Sequence, residues 1–149
     1  MDTNDDPEDK WSDDNDLVRT FGFVDTLFLN EREAKKLART NNLTDAMAKL
    51  AQLTKRVVVK LGARGALARE GPREWRRPAL TVNVIDPVGA GDSFDAGYIH
   101  CLLQGEGQEA CLEYANAAGA LSATKEGGTE AFRDRANVAR FFHEHLGVI

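Results

Sequence analysis

The chain is short of the residues that mark several protein classes. Of 149 residues only two are cysteine, Cys101 and Cys111, which form neither a disulfide framework nor a metal-ligand spacing. Each reads as a small apolar side chain in a reduced, intracellular setting. Four prolines and 13 glycines exclude collagen-like and low-complexity character. No apolar run approaches the roughly 18 residues that a membrane helix needs. The opening MDTNDDPEDKW lacks an apolar core, which reads against a secretory signal and for the cytoplasm. No basic stripe is present to track a nucleic acid backbone. What remains is globular composition, 42% hydrophobic and 29% charged, enough for a domain with a core.

Charge is placed unevenly. Residues 1–16 carry eight Asp/Glu against one Lys, a balance of −7, while the rest has 16 acids and 18 bases, a balance of +2. Residues 1–19 therefore read as a solvated acidic arm, too poor in apolar side chains to pack alone. Trp11 is the exception, an aromatic that suggests a surface for the arm to rest on. Residues 20–149 read as the α/β domain.

Within that domain the hydrophobic pattern alternates between strand and helix. Val24–Leu29 is a short apolar run ended by Asn30, and Val57–Leu61 has three β-branched residues in succession. Between them, Glu31–Arg39 and a segment after Thr44 carry helical spacing. Gly62-Ala63-Arg64-Gly65 turns the chain into a hairpin with Ala66–Arg69, and Gly71-Pro72 and Pro78 bracket a short edge segment around Trp75. Thr81–Ile85 reads as a further strand. Gly91–Gln104, Glu109–Thr124 and Asp134–Leu146 read as helices, the second rich in Ala and Gly and suited to close packing. The expected fold is α/β, a layered domain with a mainly parallel sheet.

The most informative stretch is Asp86-Pro87-Val88-Gly89-Ala90-Gly91-Asp92-Ser93. It joins a strand to a helix with small residues, so several backbone N–H groups can turn toward one point at a helix N-terminus. That arrangement stabilises phosphoryl oxygens. Asp92 stands beside any anion held there, and a carboxylate in that place repels a bound phosphate. It makes sense as a base that takes a proton from an attacking hydroxyl. The alternative is that Asp92 merely caps the helix and the glycines make a turn. A dinucleotide fingerprint fails, because its third glycine would fall at Phe94.

DPVGAGDSFDAGY closely resembles the C-terminal signature of the ribokinase-like (PfkB) carbohydrate kinases. VDTLFLNEREAKKL, VVVKLGARGAL and YANAAGALSATKEGG resemble three further motifs of that family, in the same order. The resemblance implies a three-layer α/β/α, Rossmann-like ribokinase fold of which only the C-terminal part of the sheet is present. It implies ATP as phosphoryl donor, a sugar or sugar-acid hydroxyl as acceptor, Mg²⁺ as cofactor, and in many members a monovalent cation such as K⁺. By position, Asp92 resembles the catalytic base and Gly89, Ala90 and Gly91 the anion hole. Asn30 and Glu33 resemble the motif that serves Mg²⁺ indirectly. Lys60, Gly62, Gly65, Asn116 and Gly119 resemble nucleotide-side positions, and Asp86 the monovalent-cation loop, with carbonyls around Ala123 to Gly128.

Plainer readings stand beside these. Asn30 and Glu33 also spell a capping box. Gly62 and Gly65 suit any hairpin turn, Lys60 can lie along a strand edge, and Asn116 can be a solvated helix position. Family members are considerably longer, and Asp2-Thr3-Asn4 resembles a segment from the middle of their fold. An open sheet edge beside Val24–Leu29 is then expected, and with it self-association or pairing with a separate N-terminal half. A non-catalytic nucleotide-binding or assembly module of the same descent is the rival reading.

Overall fold

A computed structural model describes residues 1–3 and 15–147; Trp11 lies outside them. The chain divides into two compact units, residues 1–61 with 67–75, and residues 62–66 with 76–149.

The first unit is organised by β1 (Thr26–Asn30) and β2 (Arg56–Lys60), which pair in parallel with Thr26 opposite Arg56 and Asn30 opposite Lys60. Parallel neighbours need a long crossover. It is supplied by α2 (Glu31–Leu37) and α3 (Leu43–Leu50). Leu27, Leu29, Val57 and Val59 pack with Ala34, Leu37, Ala46, Met47 and Leu50, so the strands are buried and read as apolar runs. Two further strands follow, β3 (Ala66–Glu70) and β4 (Arg73–Arg77), in the sheet order β1-β2-β3-β4. Their connections are too short for crossovers, so β3 runs back against β2 and β4 against β3, and the sheet is mixed. β4 is the charged edge expected around Trp75, with Arg73 stacked 5.3 Å from that ring.

Parts of the expected arm are built into this unit. Met1 and Asp2 lie along the outer edge of β1: the Met1 ammonium donates to Thr26 O at 2.8 Å, and Phe28 N donates to Met1 O at 2.8 Å. The edge expected to be open is occupied along this stretch by the chain's own first residues. Asn15–Thr20 forms a short helix, α1, whose Leu17 and Val18 pack on the core.

The second unit is built on three helices, α4 (Ala90–Leu103), α5 (Gln108–Ser122) and α6 (Arg135–Leu146). A Cβ on Gly97 would sit 2.8 Å from Ala118 Cβ and 3.3 Å from Ala115 Cα, so α4 and α5 meet almost backbone to backbone. The Ala-rich stretch of α5 makes that approach possible. Phe142 of α6 packs in one cluster with Ala117, Ala118 and Leu121. Cys101 and Cys111 are buried free thiols, as their apolar reading anticipates.

One expected element is absent. Thr81–Ile85 is irregular, with Val84 and Ile85 58% and 56% exposed. Its β-branched residues favour a strand, but a strand needs a partner to bond with. Near its end the segment is held where Ile85 N and Asp86 N both donate to Ala123 O, at 2.8 and 3.2 Å.

Candidate active site

In the first unit, Asn30 ends β1 and caps α2. Its side-chain oxygen accepts from Glu33 N at 2.9 Å, and Glu33 Oε2 accepts from Asn30 N at 2.8 Å, a complete capping box. Asn30 Nδ2 also donates to Glu33 Oε1. Glu33 is only 4% exposed, and burial pushes its carboxyl above the usual range. The Asn30 amide and Lys60 pull the other way, and Asp2 adds to the rise. Lys60, at the end of β2, is spent on Asp2, with Nζ 2.8 Å from Oδ2. The structure therefore gathers Asn30, Glu33 and Lys60 at the ends of neighbouring strands, and adds Asp2, which the sequence marked as part of the Asp2-Thr3-Asn4 segment but not as a site residue. Asn30 donates to both Glu33 oxygens and so fixes the carboxylate's orientation, an arrangement that fits an indirect, water-relayed hold on Mg²⁺.

In the second unit, Gly89 is the N-cap of α4 and adopts a left-handed conformation, φ 75°. A side chain there would meet Gly128 Cα at 2.8 Å, so the position demands glycine twice over. Ala90, Gly91 and Asp92 form the first turn. Ser93 N donates to Gly89 O at 2.9 Å, and helix geometry leaves the amides of Gly91 and Asp92 with no intrahelical acceptor. Asp92 is exposed at the third helical position, so it is not the cap that the plainer reading required. Free amides, a helix N-terminus and small residues fit an anion such as a phosphate.

Asp86 opens this loop and binds it to the one after α5. Its carboxylate accepts from Gly127 N at 3.0 Å and from Val88 N at 2.9 Å. These amides, Gly127's first, hold its carboxyl below the usual range. An ionised carboxylate here fits a monovalent cation. Of the expected carbonyls, Gly128 O accepts from Ser122 Oγ at 2.6 Å and keeps a lone pair, whereas Ala123 O already takes two N–H groups and has none to give.

The remaining nucleotide-side candidates are placed by backbone packing. Gly62 opens the turn after β2 with φ 59°. A Cβ on Gly119 would lie 3.0 Å from Ala90 O, so that glycine lets α5 touch the first turn of α4. Asn116 is buried, and its Nδ2 donates to Pro78 O at 3.0 Å and to Arg77 O at 3.4 Å. It is not a solvated helix residue. Sequence reasoning missed Arg77, whose guanidinium reaches Glu113 at 2.6 Å and Glu109 at 2.7 Å. The i,i+4 acid pair was visible, but not the cation it shares.

The mixed α/β sheet with its helices is structurally similar to ribokinase-fold kinases. The pfkB family carbohydrate kinase model matches residues 4–135, and the chain belongs to that family. It is 37% identical over 135 residues to an ATP-dependent ribose-1-phosphate kinase of Halopiger xanaduensis, covering 89% of this chain and 44% of that protein. An E. coli structure provisionally named Ribokinase II, in complex with ATP and Mg²⁺, superposes with TM-score 0.82 at 27% identity, over 97% of this chain and 48% of that one. A fructokinase double mutant of Vibrio cholerae, bound to fructose, ADP and potassium, gives TM-score 0.72 at 28% identity, over 84% and 43%. The chain thus spans less than half the length of the relatives it matches. No described helix is long and apolar enough to cross a membrane.

Proposed function

We propose that this chain is the nucleotide-binding and catalytic-base portion of an ATP-dependent phosphotransferase acting on a sugar or sugar-acid hydroxyl in the cytoplasm. The observation that carries this reading is the left-handed Gly89 cap, which presents open amides and an exposed Asp92 in one helical turn. Asp92 takes the proton of the attacking hydroxyl, and the Gly89–Gly91 backbone stabilises the charge on the group in transfer. Mg²⁺ bound with the nucleotide would neutralise phosphate charge, and Glu33, oriented by Asn30, would hold water on that ion. Asp86 would hold a monovalent cation.

The acceptor class rests on the names of the relatives, of whose length the chain spans under half. The rival reading is a non-catalytic nucleotide-binding or assembly fragment of the same descent. One titration decides between them. The chain is given Mg-ATP with ribose, fructose or ketodeoxygluconate, and both binding and ADP release are followed. On the leading reading Asp92→Asn lowers turnover by about 10²–10⁴-fold and leaves ATP affinity nearly unchanged. Undiminished turnover in that variant removes Asp92 from the mechanism. ATP binding with no turnover in any sugar supports the non-catalytic module.

A further inference from the structure

The chain's two cysteines are brought together by the hairpin of α4 and α5. Cys101 sits in the last turn of α4 and Cys111 in the first turn of α5. Only residues 104–107 join the two helices, which therefore run antiparallel. Their register is set one turn away, where a Cβ on Gly97 would lie 3.3 Å from Ala115 Cα. Cys101 follows Gly97 by four residues and Cys111 precedes Ala115 by four, so the cysteines face each other on the same stripe. Gly97 lets the backbones close up, and a disulfide requires that closeness, since its Cα atoms must come within about 7 Å. The two side chains are within hydrogen-bond reach of each other. Glu106 in the connection ties both ends: its N–H donates to Cys101 O at 3.3 Å, and its carbonyl accepts from Cys111 Sγ at 3.7 Å.

We propose that Cys101 and Cys111 form an oxidisable pair, a modification site at which a hydroperoxide closes a disulfide across the α4–α5 hairpin. The pair lies at the connection end of α4, away from the anion-binding turn at its start, and does not depend on the kinase reading. Cys101 is 6% exposed and Cys111 0%, so the oxidant meets Cys101 first. The Cys101 thiolate attacks one peroxide oxygen; an S–O bond forms, the O–O bond breaks, and the leaving hydroxide takes up the thiol proton as water. The Cys111 sulfur then attacks the sulfenic sulfur of Cys101. The S–S bond forms, the S–O bond breaks, and a second water leaves with the Cys111 proton. Two thiols thus give up two electrons, and one hydrogen peroxide is reduced to two waters. Burial raises the Cys101 thiol, the hydrogen bond with Cys111 lowers it, and the Glu106 charge raises it again. Little thiolate is present at neutral pH, so closure is slow and needs peroxide in excess.

The test uses the folded, unmodified chain with excess hydrogen peroxide, after which remaining thiols are alkylated. Proteolysis after Glu106 and Glu109 separates the two cysteines in sequence, so fragments that stay joined until a dithiol is added report the bond. The chain should become lighter by two hydrogen atoms, with those fragments joined. At one urea concentration the oxidised chain should be about tenfold to a hundredfold less unfolded than the reduced one, because the bond restricts residues 101–111 in the unfolded state. In Cys111→Ser, Cys101 should stop at the sulfenic acid and take up dimedone several-fold more than in the unmodified chain. Joining only after urea is added, cross-links between two chains, or an oxidised form less stable than the reduced one would each overturn the proposal. Oxygen gained at Cys101 of the unmodified chain without joined fragments, or two free thiols after prolonged excess peroxide, would overturn it equally.

Discussion

In the first unit the candidate residues are side chains that satisfy one another: Asn30 and Glu33 exchange hydrogen bonds, and Lys60 neutralises Asp2. In the second unit the corresponding material is backbone, with Gly89 against Gly128, Gly65 against residues 77–79 and Gly119 against Ala90. Side chains there, such as Asp86 and Asn116, mostly tie one backbone segment to another. The two solutions fail differently. A side-chain cluster can lose one member and relax, whereas a backbone-to-backbone contact has nothing flexible to give. Chemistry follows the same division. Closed side-chain pairs suit the indirect ordering of water and a cation, and bare backbone amides suit an anion whose charge moves during reaction.

The largest effect should come from Gly65. Alanine there combines a strained left-handed backbone with direct overlap on Arg77 O, so we expect a loss on the order of 3–5 kcal/mol in urea unfolding. A loss below about 1 kcal/mol would show that the 77–79 segment moves aside easily, and the contrast between the units would weaken. Gly97→Ala presses on a side-chain carbon of Ala118 as well as on backbone, and should cost about 1–3 kcal/mol. On the other side of the comparison, Glu33→Ala strips Asn30 of the acceptors for its backbone and side-chain N–H groups. We expect about 1–3 kcal/mol from the lost cap and the stranded donors, read in the same assay. Lys60→Met should cost less than about 1 kcal/mol, because its ion pair with Asp2 is partly solvated.

The same division explains what could be read in the amino-acid order. Asn30-x-x-Glu33 announces its capping box, because the interaction is local and its spacing is diagnostic. Apolar runs likewise located the strands and the helical periods the helices, to within a few residues. Thr81–Ile85 misled, since composition registers strand preference but not the presence of a neighbour to bond with. Asn116 and Arg77 were misjudged or missed for a related reason. Their partners lie 32–39 residues away, and nothing in a helix pattern names a carbonyl on the far side of a turn. Gly65 and Gly89 were flagged as turn formers. That a neighbouring backbone lies within van der Waals contact of both could only be seen in three dimensions.

Acidity separates the two units by sign, although the effects are smaller. Glu33 is held above its ordinary value of 4.5 chiefly by burial, so the folded chain binds its proton more tightly than the unfolded one. Its contribution to stability is present below 4.5 and is lost as pH rises through the elevated value. Asp86 is held below its ordinary value of 3.8 by the amides of Gly127 and Val88, so its contribution is present above 3.8 and is lost as pH falls. Urea unfolding between pH 3 and 7 should therefore show opposite trends in two variants. The margin of the unmodified chain over Glu33→Gln should shrink as pH rises from 4.5, and its margin over Asp86→Asn should shrink as pH falls from 3.8. Parallel trends would mean that Glu33 is hydrated or that the Asp86 amides have let go. In either case, one unit would no longer hold its carboxylate as the structure shows.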